Sequence, residues 1–366
     1  MNSSLRYQIA LTQFKGVGTM VAKNLIAYLG SAEAVFTEPL TMLRKIPRAG
    51  AAIVDEQQRR MALQRADAEL EFITKHAVEA LFYTDSAYPY RLKECADCPV
   101  ILYSIGNTSL LNVSRLMAVV GTRKATDYGK QLCEQLVADV ALLPNSPVVV
   151  SGLAYGIDAL AHRAAMTAGV PTIGVLAHGL DMIYPAQHRA LSEKIINQGG
   201  ILLSEYISHT IPEPSNFVQR NRIIAGLCDC TVVVESAERG GALLTAAAAN
   251  EYNRDVLTFP GRTTDPYSAG CNALISGNQA TLISSAADLE GVMGWTSSNR
   301  RTIEQPLFDE LTEIEQEIIE ILHREPLHLD MLSRMMKLPV QKMSPLLVQM
   351  EFKGLIKALP GQRYKV

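Results

Sequence analysis

The chain lacks three features that would each point to a particular class of protein. No apolar run reaches the roughly 18 to 20 residues that span a bilayer, and the N-terminal segment lacks the long apolar core of a signal peptide. We therefore expect a cytoplasmic protein with no membrane partner. Basic residues are not in excess either, because 34 Lys and Arg stand against 37 Asp and Glu, for a formal net charge of −3. A phosphate ligand would have to be bound by a few placed basic side chains and by backbone amides at helix starts.

The third missing feature is a cysteine pattern. Only Cys95 and Cys98 form a CxxC pair among the six cysteines, and neither a second pair nor a suitably spaced His pair follows them. Scattered cysteines in a long chain without an export signal indicate reduced thiols. We predict no metal site and no cofactor.

The pattern that is present changes along the chain. Residues 5–76 have apolar positions at three-to-four spacing, which predicts helices. From residue 116 on, short β-branched runs alternate with helical stretches, which predicts a largely parallel, Rossmann-like α/β sheet covered on both faces. Further on, three amphipathic helices and an alternating tail around a Pro-Gly turn predict a winged-helix domain. The predicted strands are 116–120, 148–150, 172–176, 201–203, 231–235 and 256–259, and the C-terminal helices are 311–322, 329–336 and 340–352.

These changes of pattern predict four segments. The first contains Phe14-Lys15-Gly16-Val17-Gly18 before a helix, which resembles a helix-hairpin-helix or SAM-like nucleic-acid module; a turn used only for packing is the alternative, and residues 46–50 match the motif less well. The last segment is nearly balanced in charge, so a DNA partner and a protein partner both stay open. The predicted segments are a helical domain at 1–80, a Rossmann-like domain at 81–293, a linker at 294–304 and a winged-helix domain at 305–366.

Small residues end most of the predicted strands. In open α/β sheets a ligand lies where the carboxyl ends of strands meet the starts of helices, and small residues let it approach the backbone. Three segments have this form: 121–124 with Arg123 and Lys124, 151–158, and 239–245 with two adjacent glycines. Arg220 and Arg222 diverge by about 200° on a helix, so one can meet a phosphate while the other holds a loop, and two solvated or ion-paired arginines are the alternative.

Two other polar residues near these strand ends have plainer interpretations. Asp158 is expected to cap or orient a loop. His162 has no evident nucleophile to act on, so we interpret it as a structural histidine and predict no catalytic residue.

The order of these motifs is more specific than any one of them. GTRKATDYG, SGLAYGIDALAH, GLDMIYP, LLSEY, QRNRIIAGL, VVVES, GGALLTA, FPG and GCNALI follow one another along the chain. That order resembles the DNA-processing protein A family (DprA, also called Smf), over nearly the whole chain. The resemblance implies a non-enzymatic protein that binds single-stranded DNA without sequence preference, protects incoming strands, loads the RecA recombinase in natural transformation, and forms a homodimer.

The resemblance also implies a path for the DNA. Tyr155 and Phe217 are candidate stacking partners on this path, which carries twelve candidate DNA-binding residues: Gly121, Thr122, Arg123, Lys124, Ser151, Gly152, Arg220, Asn221, Arg222, Gly240, Gly241 and Thr245.

The chain departs from the family pattern in two places. Many members have a basic residue just after the Tyr184-Pro185 pair, where this chain has Ala186 and Gln187, and the nearest positive residue is Arg189. Residues 277–280 also differ from the usual Gly-Ala ending of the last motif.

Two alternatives from other classes stay open. One is an enzyme of the related lysine-decarboxylase-like (LOG) group, which hydrolyses nucleoside monophosphates; the helix after Gly240-Gly241 has no carboxylate before Glu251 to stabilise a cationic transition state, which counts against it. The other is a module that binds a mononucleotide and signals through the winged helix.

Overall fold

The computed structural model describes residues 3–47, 51–295, 312–323, 325–359 and 362–365. These residues form two compact units, one within Met1–Trp295 and one within Thr296–Val366. Most of the predicted 294–304 linker, the Pro-Gly turn of the tail and the end of the 46–50 segment lie outside the described residues. Across the described ranges, no helix is both long enough and apolar enough to cross a membrane.

The first unit contains thirteen α-helices, nine strands and three short 3-10 helices within its described residues. The helices are α1 Ser3–Leu11, α2 Thr19–Leu29, α3 Ala34–Thr37, α4 Leu40–Leu43, α5 Glu56–His76, α6 Tyr90–Lys93, α7 Asp127–Ala141, α8 Ile157–Thr167, α9 Arg189–Asn197, α10 Pro214–Leu227, α11 Gly241–Glu251, α12 Ala269–Ser276 and α13 Ala286–Met293. The strands are β1 Glu79–Phe82, β2 Ile101–Gly106, β3 Leu116–Val120, β4 Val148–Ser151, β5 Thr172–Leu176, β6 Ile201–Ser204, β7 Cys230–Val233, β8 Asp255–Thr258 and β9 Thr281–Leu282. The 3-10 helices are Ala51–Val54, Thr108–Asn112 and Ala186–His188.

The nine strands form one sheet in the order β1-β2-β6-β5-β4-β3-β7-β8-β9. Within this order, all pairs among β6, β5, β4, β3, β7, β8 and β9 are parallel. At the other edge, β2 pairs antiparallel with β6, and β1 pairs antiparallel with β2. The chain adds β4, β5 and β6 on one side of β3 and then returns to add β7, β8 and β9 on the other. The direction of strand addition therefore reverses between β3 and β7.

The predicted parallel α/β sheet is confirmed, because all six predicted runs are strands of its parallel part. The main difference is at β7, which ends at Val233 and not at Glu235. Beyond Val233 the backbone carbonyl of Glu235 accepts a hydrogen bond from the amide of Thr122 (2.7 Å), so this segment stays beside the end of β3. The sequence patterns did not predict β1, β2 or β9.

Burial of β3 explains why its sequence is apolar throughout. All five residues are buried, and side chains alternate between two cores because successive residues of a strand point to opposite faces. Leu116, Ala118 and Val120 belong to one core, and Met117 and Val119 to the other. Helices thus cover both faces of the sheet, as parallel strands require.

The N-terminal helices pack against the antiparallel edge of the sheet. Ile9 and Leu25 share a core with Phe82 of β1 and Tyr103 of β2. The predicted helices are confirmed, and they belong to the same compact unit as the sheet. The domain boundary at residue 80 and the helix-hairpin-helix type of the module stay predictions.

The second unit contains the predicted three helices and hairpin. Its elements are α14 Glu313–Leu322, β10 Leu327–His328, α15 Leu329–Met335, α16 Val340–Phe352, β11 Lys357–Leu359 and β12 Arg363–Lys365. Thr312 caps α14 in a capping box with Glu315, which explains why the helix begins there. β12 pairs antiparallel with both β11 and β10, so the wing has one strand more than the sequence predicts.

Candidate nucleic-acid interface

A cleft of about 450 Å³ opens where β3 and β7 lie side by side. Ligands of open α/β sheets bind outside the carboxyl ends of strands at the point where the strand order reverses, and this cleft lies at that point. Its walls include the loop after β3, one side of α10 and the first turn of α11. Eight of the twelve predicted site residues line it: Gly121, Thr122, Arg123, Arg220, Asn221, Gly240, Gly241 and Thr245.

Arg123 presents a free positive charge at the edge of the cleft. Its side chain is exposed, and within the described part of the chain it has no carboxylate partner. The guanidinium carbon lies 5.3 Å from the ring centroid of Phe217, in the range of a cation–π contact. The aromatic ring holds this guanidinium at the cleft without neutralising it.

Aromatic rings form one side of the same opening. Tyr184 lines the cleft and is 45% exposed, and its ring centroid lies 5.7 Å from that of Phe217. Tyr155, the other predicted stacking partner, does not line the cleft, since its hydroxyl donates to Oε1 of Gln187 (2.7 Å). The sequence analysis missed Tyr184 as an aromatic of the cleft, although it lies in the GLDMIYP motif.

Arg220 supplies a buried charge at the floor of the cleft. The residue is 3% exposed, and its Nη1 donates to the backbone carbonyl of Val175 (2.6 Å). A Cβ at Gly152 would lie only 1.9 Å from this Nη1, so glycine is required there for the guanidinium to fit. Burial lowers the pKa of Arg220 to about 10, which still leaves it protonated at neutral pH.

Asp158 is the carboxylate that faces this buried charge. Burial raises its pKa, while Arg220 and the amides of Ala154 and Gly152 favour its charged form. Its Oδ2 accepts from the Ala154 amide (3.4 Å), so it holds the loop after β4 as the sequence analysis expects.

The backbone amides of the cleft divide into two groups. Those of Thr122 and Gly240 donate to the carbonyls of Glu235 and Ala237 and are satisfied internally. The amides of Gly121, Arg123, Gly241 and Ala242 have no hydrogen-bond acceptor among the described residues. Two free amides therefore lie at the end of β3 and two at the first turn of α11, where the helix macrodipole also favours an anion.

The start of α7, in contrast, is closed to an external anion. The buried carboxylate of Glu235 accepts from the Thr126 amide (2.9 Å) and the Thr126 hydroxyl (2.5 Å). A protein carboxylate therefore occupies this helix start, and the candidate residues 121–124 lie before it. The sequence analysis missed this role for Glu235, although an acid directly after an apolar strand is a usable signal.

Comparison with known proteins identifies the chain. The sequence model described as DNA recombination-mediator protein A matches residues 79–293. A protein named Smf from Synechocystis is 32% identical over 402 residues, which cover 100% of this chain and 99% of that protein. The chain belongs to the DprA/Smf family. The DNA processing protein DprA of Streptococcus pneumoniae is 42% identical over 205 residues, or 56% of this chain and 71% of that one.

Solved structures of DprA proteins share the fold. The crystal structure of DNA processing protein A from Streptococcus pneumoniae covers 78% of this chain and 97% of its own, with a TM-score of 0.66 and 33% identity. A structure from Helicobacter pylori, described by its single-stranded DNA binding mode, covers 59% of this chain and 95% of its own, with a TM-score of 0.52 and 30% identity. The DprA winged helix domain model matches residues 304–362. The DprA/Smf chain thus combines a Rossmann-like domain with a C-terminal winged helix.

Four predicted site residues of this DprA/Smf chain do not line the cleft: Lys124, Ser151, Gly152 and Arg222. The Ser151 hydroxyl is buried and donates to the carbonyl of Val119 (2.7 Å). Arg222 points to the other side of α10, where it donates to the Asp97 carbonyl (2.7 Å) and to the carboxylate of Glu205. The two arginines diverge on the helix as the sequence analysis expects, and Arg222 is the one that holds a loop.

Three other side chains that the sequence analysis considered, His162, Cys95 and Cys98, are buried in the fold. His162 is fully buried, its Nδ1 lies 2.7 Å from the Thr172 hydroxyl, and burial lowers its pKa to about 3, so it is neutral. Cys95 and Cys98 are buried free thiols, and burial raises the pKa of Cys95 to about 11. Over the described residues, no group of three or more His, Cys, Asp or Glu side chains is arranged to hold a metal ion.

Proposed function

We propose that the protein binds single-stranded DNA in the cleft without sequence preference, as part of DNA processing in natural transformation. The observation that carries the proposal is the exposed Arg123, held on Phe217 beside free amides at the point where the strand order reverses. Family membership supports the same function, because the Helicobacter pylori relative is described by its single-stranded DNA binding mode.

The chemistry of the cleft favours a single strand over a particular sequence. Guanidinium groups and backbone amides contact phosphates, which are the same at every position of a strand. The exposed ring of Tyr184 is proposed to stack on unpaired bases, and base stacking on aromatic rings tolerates every base. In a duplex the bases are already stacked and paired, so only the phosphate contacts would remain.

The twelve predicted DNA-binding residues are proposed to have two roles: some contact the strand and the others shape the walls of the cleft. The eight cleft residues are proposed to face the strand, with Arg220 acting from the floor through its charge. Lys124 is exposed next to Arg123 and is proposed to meet a neighbouring phosphate. Ser151, Gly152 and Arg222 are proposed to shape the walls, since their contacts are with Val119, Arg220 and Glu205.

The wider role is proposed from family membership. The protein would protect incoming strands, transfer them to the RecA recombinase and act as a homodimer. That role requires a cytoplasmic location, because RecA acts on DNA there.

We propose no catalytic step. Hydrolysis of a nucleoside monophosphate would need a carboxylate free to stabilise a cationic transition state. Glu235 is engaged by Thr126, and Asp158 by the loop after β4 and by Arg220. α11 has no acidic residue before Glu251, at its last position.

The test compares wild type with Arg123→Ala by fluorescence anisotropy on single- and double-stranded DNA of several sequences. One lost charge-assisted phosphate contact is worth about 1.5 to 3 kcal/mol, so the affinity for every single strand is expected to fall by roughly 10- to 100-fold. The slope of log affinity against log salt is expected to fall by about 0.7. Because Arg123 is exposed, the melting temperature stays unchanged. Unchanged binding by a folded Arg123→Ala variant, or tighter binding of duplex than of single strand, would contradict the proposal.

A further inference from the structure

A second groove, of about 480 Å³, lies between α8 and α9 outside the cleft. Arg163 of α8 and Lys194 of α9 line it from opposite sides, and both side chains are exposed. Gln187 and Gln198 add amide groups, and Leu191 forms part of its floor. Among the described residues no acidic one lines this groove, so its lining is basic and polar.

The two charges are not neutralised by neighbours. Across the residues that the structure describes, neither Arg163 nor Lys194 has a hydrogen bond or an ion pair through its side chain. The acid nearest in sequence, Glu193, is exposed but does not line the groove. Paired arginines are present elsewhere in the same unit, for example Arg222 with Glu205. The groove therefore keeps two uncompensated positive charges despite the negative net charge of the chain.

A short bridge of residues connects this groove to the cleft. Ala154 lines the cleft, and the next residue, Tyr155, donates its hydroxyl to Gln187, which lines the groove. Tyr184 lines the cleft only three residues before Gln187. A chain that leaves the cleft over Tyr184 therefore reaches the groove next.

We infer that the α8–α9 groove is a second phosphate-binding site that extends the bound single strand beyond the cleft. Arg163 and Lys194 contact phosphates of nucleotides that the cleft does not hold. This inference rests on the proposed function, because a polyanion bound in the cleft is what would enter the groove. The groove also provides two basic side chains near Ala186 and Gln187. At those two positions, directly after Tyr184-Pro185, the sequence itself has no basic residue.

The test uses the full chain and two lengths of oligothymidylate, one of about 5 nucleotides and one of about 20, which bracket typical site sizes. The variant is Arg163→Glu/Lys194→Glu. Its matched control is Arg60→Glu/Lys75→Glu on α5, which makes the same charge change at two exposed residues that line neither the cleft nor the groove. Arg163→Gln/Lys194→Gln provides a milder version if the charge reversal lowers the yield of folded protein. Melting curves confirm folding.

The groove variant is expected to bind the long oligonucleotide roughly tenfold more weakly or worse, and the short one within about twofold of wild type. Losing two phosphate contacts to a single strand lowers the salt slope for the long oligonucleotide by about 1.4. The control changes neither length comparably, because salt at about 0.15 M screens charges beyond roughly 8 Å.

Three results would overturn the inference: no effect at either length, an equal effect at both lengths, or an equal effect of the control. If Arg123→Ala then still weakens binding of both oligonucleotides by roughly 10- to 100-fold, the cleft proposal stands and only the groove is wrong. If wild type binds neither oligonucleotide, the proposed function fails and the groove fails with it.

Discussion

Replacing Arg220 with Met tests whether this guanidinium supports the cleft from inside the fold. The residue is 3% exposed, donates to Val175 and packs directly on Gly152. Its charge offsets that of the buried Asp158. Met has a similar length and fills much of the space, so the main loss is the charge and the hydrogen bond.

The expected cost follows from what the substitution leaves behind. Arg220 and Asp158 form no direct salt bridge, so the loss is that of a buried hydrogen bond to Val175 and of a nearby compensating charge, which costs about 1 to 3 kcal/mol. For a folding unit of this size each kcal/mol lowers the melting temperature by roughly 2 °C, so we expect a drop of roughly 2 to 6 °C at neutral pH.

The pH dependence identifies the cause of that drop. Burial already raises the pKa of Asp158, and loss of Arg220 removes a group that lowers it, so the pKa rises further in the variant. A carboxyl group with a raised folded-state pKa contributes stability below its unfolded pKa and loses it as the pH rises through the folded value. The difference in melting temperature between variant and wild type should therefore shrink as the pH is lowered from about 7 towards about 4.5.

Scanning calorimetry over this pH range provides the measurement, and Asp158→Asn/Arg220→Met is the control. The double variant lacks the uncompensated charge, so it should be more stable than Arg220→Met alone at neutral pH. An Arg220→Met protein that melts like wild type, or that shows the same deficit at every pH, would refute charge compensation of Asp158 as the reason for Arg220.

Two further predictions concern the loop and helix starts around the cleft. Gly240→Ala should lower the melting temperature, because its Cβ would lie 2.2 Å from the buried Ser236 hydroxyl, whereas Gly241→Ala meets open space and should melt like wild type while binding single strands more weakly. Equal effects of the two alanines on melting would contradict this. Thr126 is the N-cap residue of α7, and its amide and hydroxyl donate to the carboxylate of Glu235. Glu235→Gln weakens these hydrogen bonds and should lower the free energy of unfolding in urea by roughly 1 to 2 kcal/mol, with no loss of DNA affinity. A loss of binding at unchanged stability would show instead that the start of α7 belongs to the DNA site.

The parallel sheet was predictable because its strands are buried on both faces. Such strands are continuous apolar runs, as the five residues of β3 show, and glycine or serine marks their ends. β1 begins with the exposed Glu79, and β9 is two exposed residues long, so neither has that signature. The strand order itself follows from no local pattern, since β2 pairs with β6 about a hundred positions later in the chain.

The sequence predicted which residues belong to the candidate site better than it predicted which way their side chains point. The 200° between Arg220 and Arg222 follows from helical spacing alone, and the structure places them on opposite sides of α10. Which of the two faces the cleft depends on how α10 packs on the sheet, and that depends on contacts distant in sequence. The same limit explains Glu235, because the carboxylate that closes α7 comes from 109 positions later.

The location of unpaired basic groups explains how a chain with a net charge of −3 can attract a polyanion. Arg6, Arg91, Arg222 and Arg254 each form an ion pair with a nearby carboxylate, and these pairs contribute little field outside the protein. Arg123 at the cleft and Arg163 and Lys194 at the groove have no carboxylate partner within the described ranges. Because salt screens interactions beyond roughly 8 Å, a phosphate responds to these local charges and not to the total. Neutralising exposed acids far from the cleft should therefore change the net charge without changing the affinity for single strands.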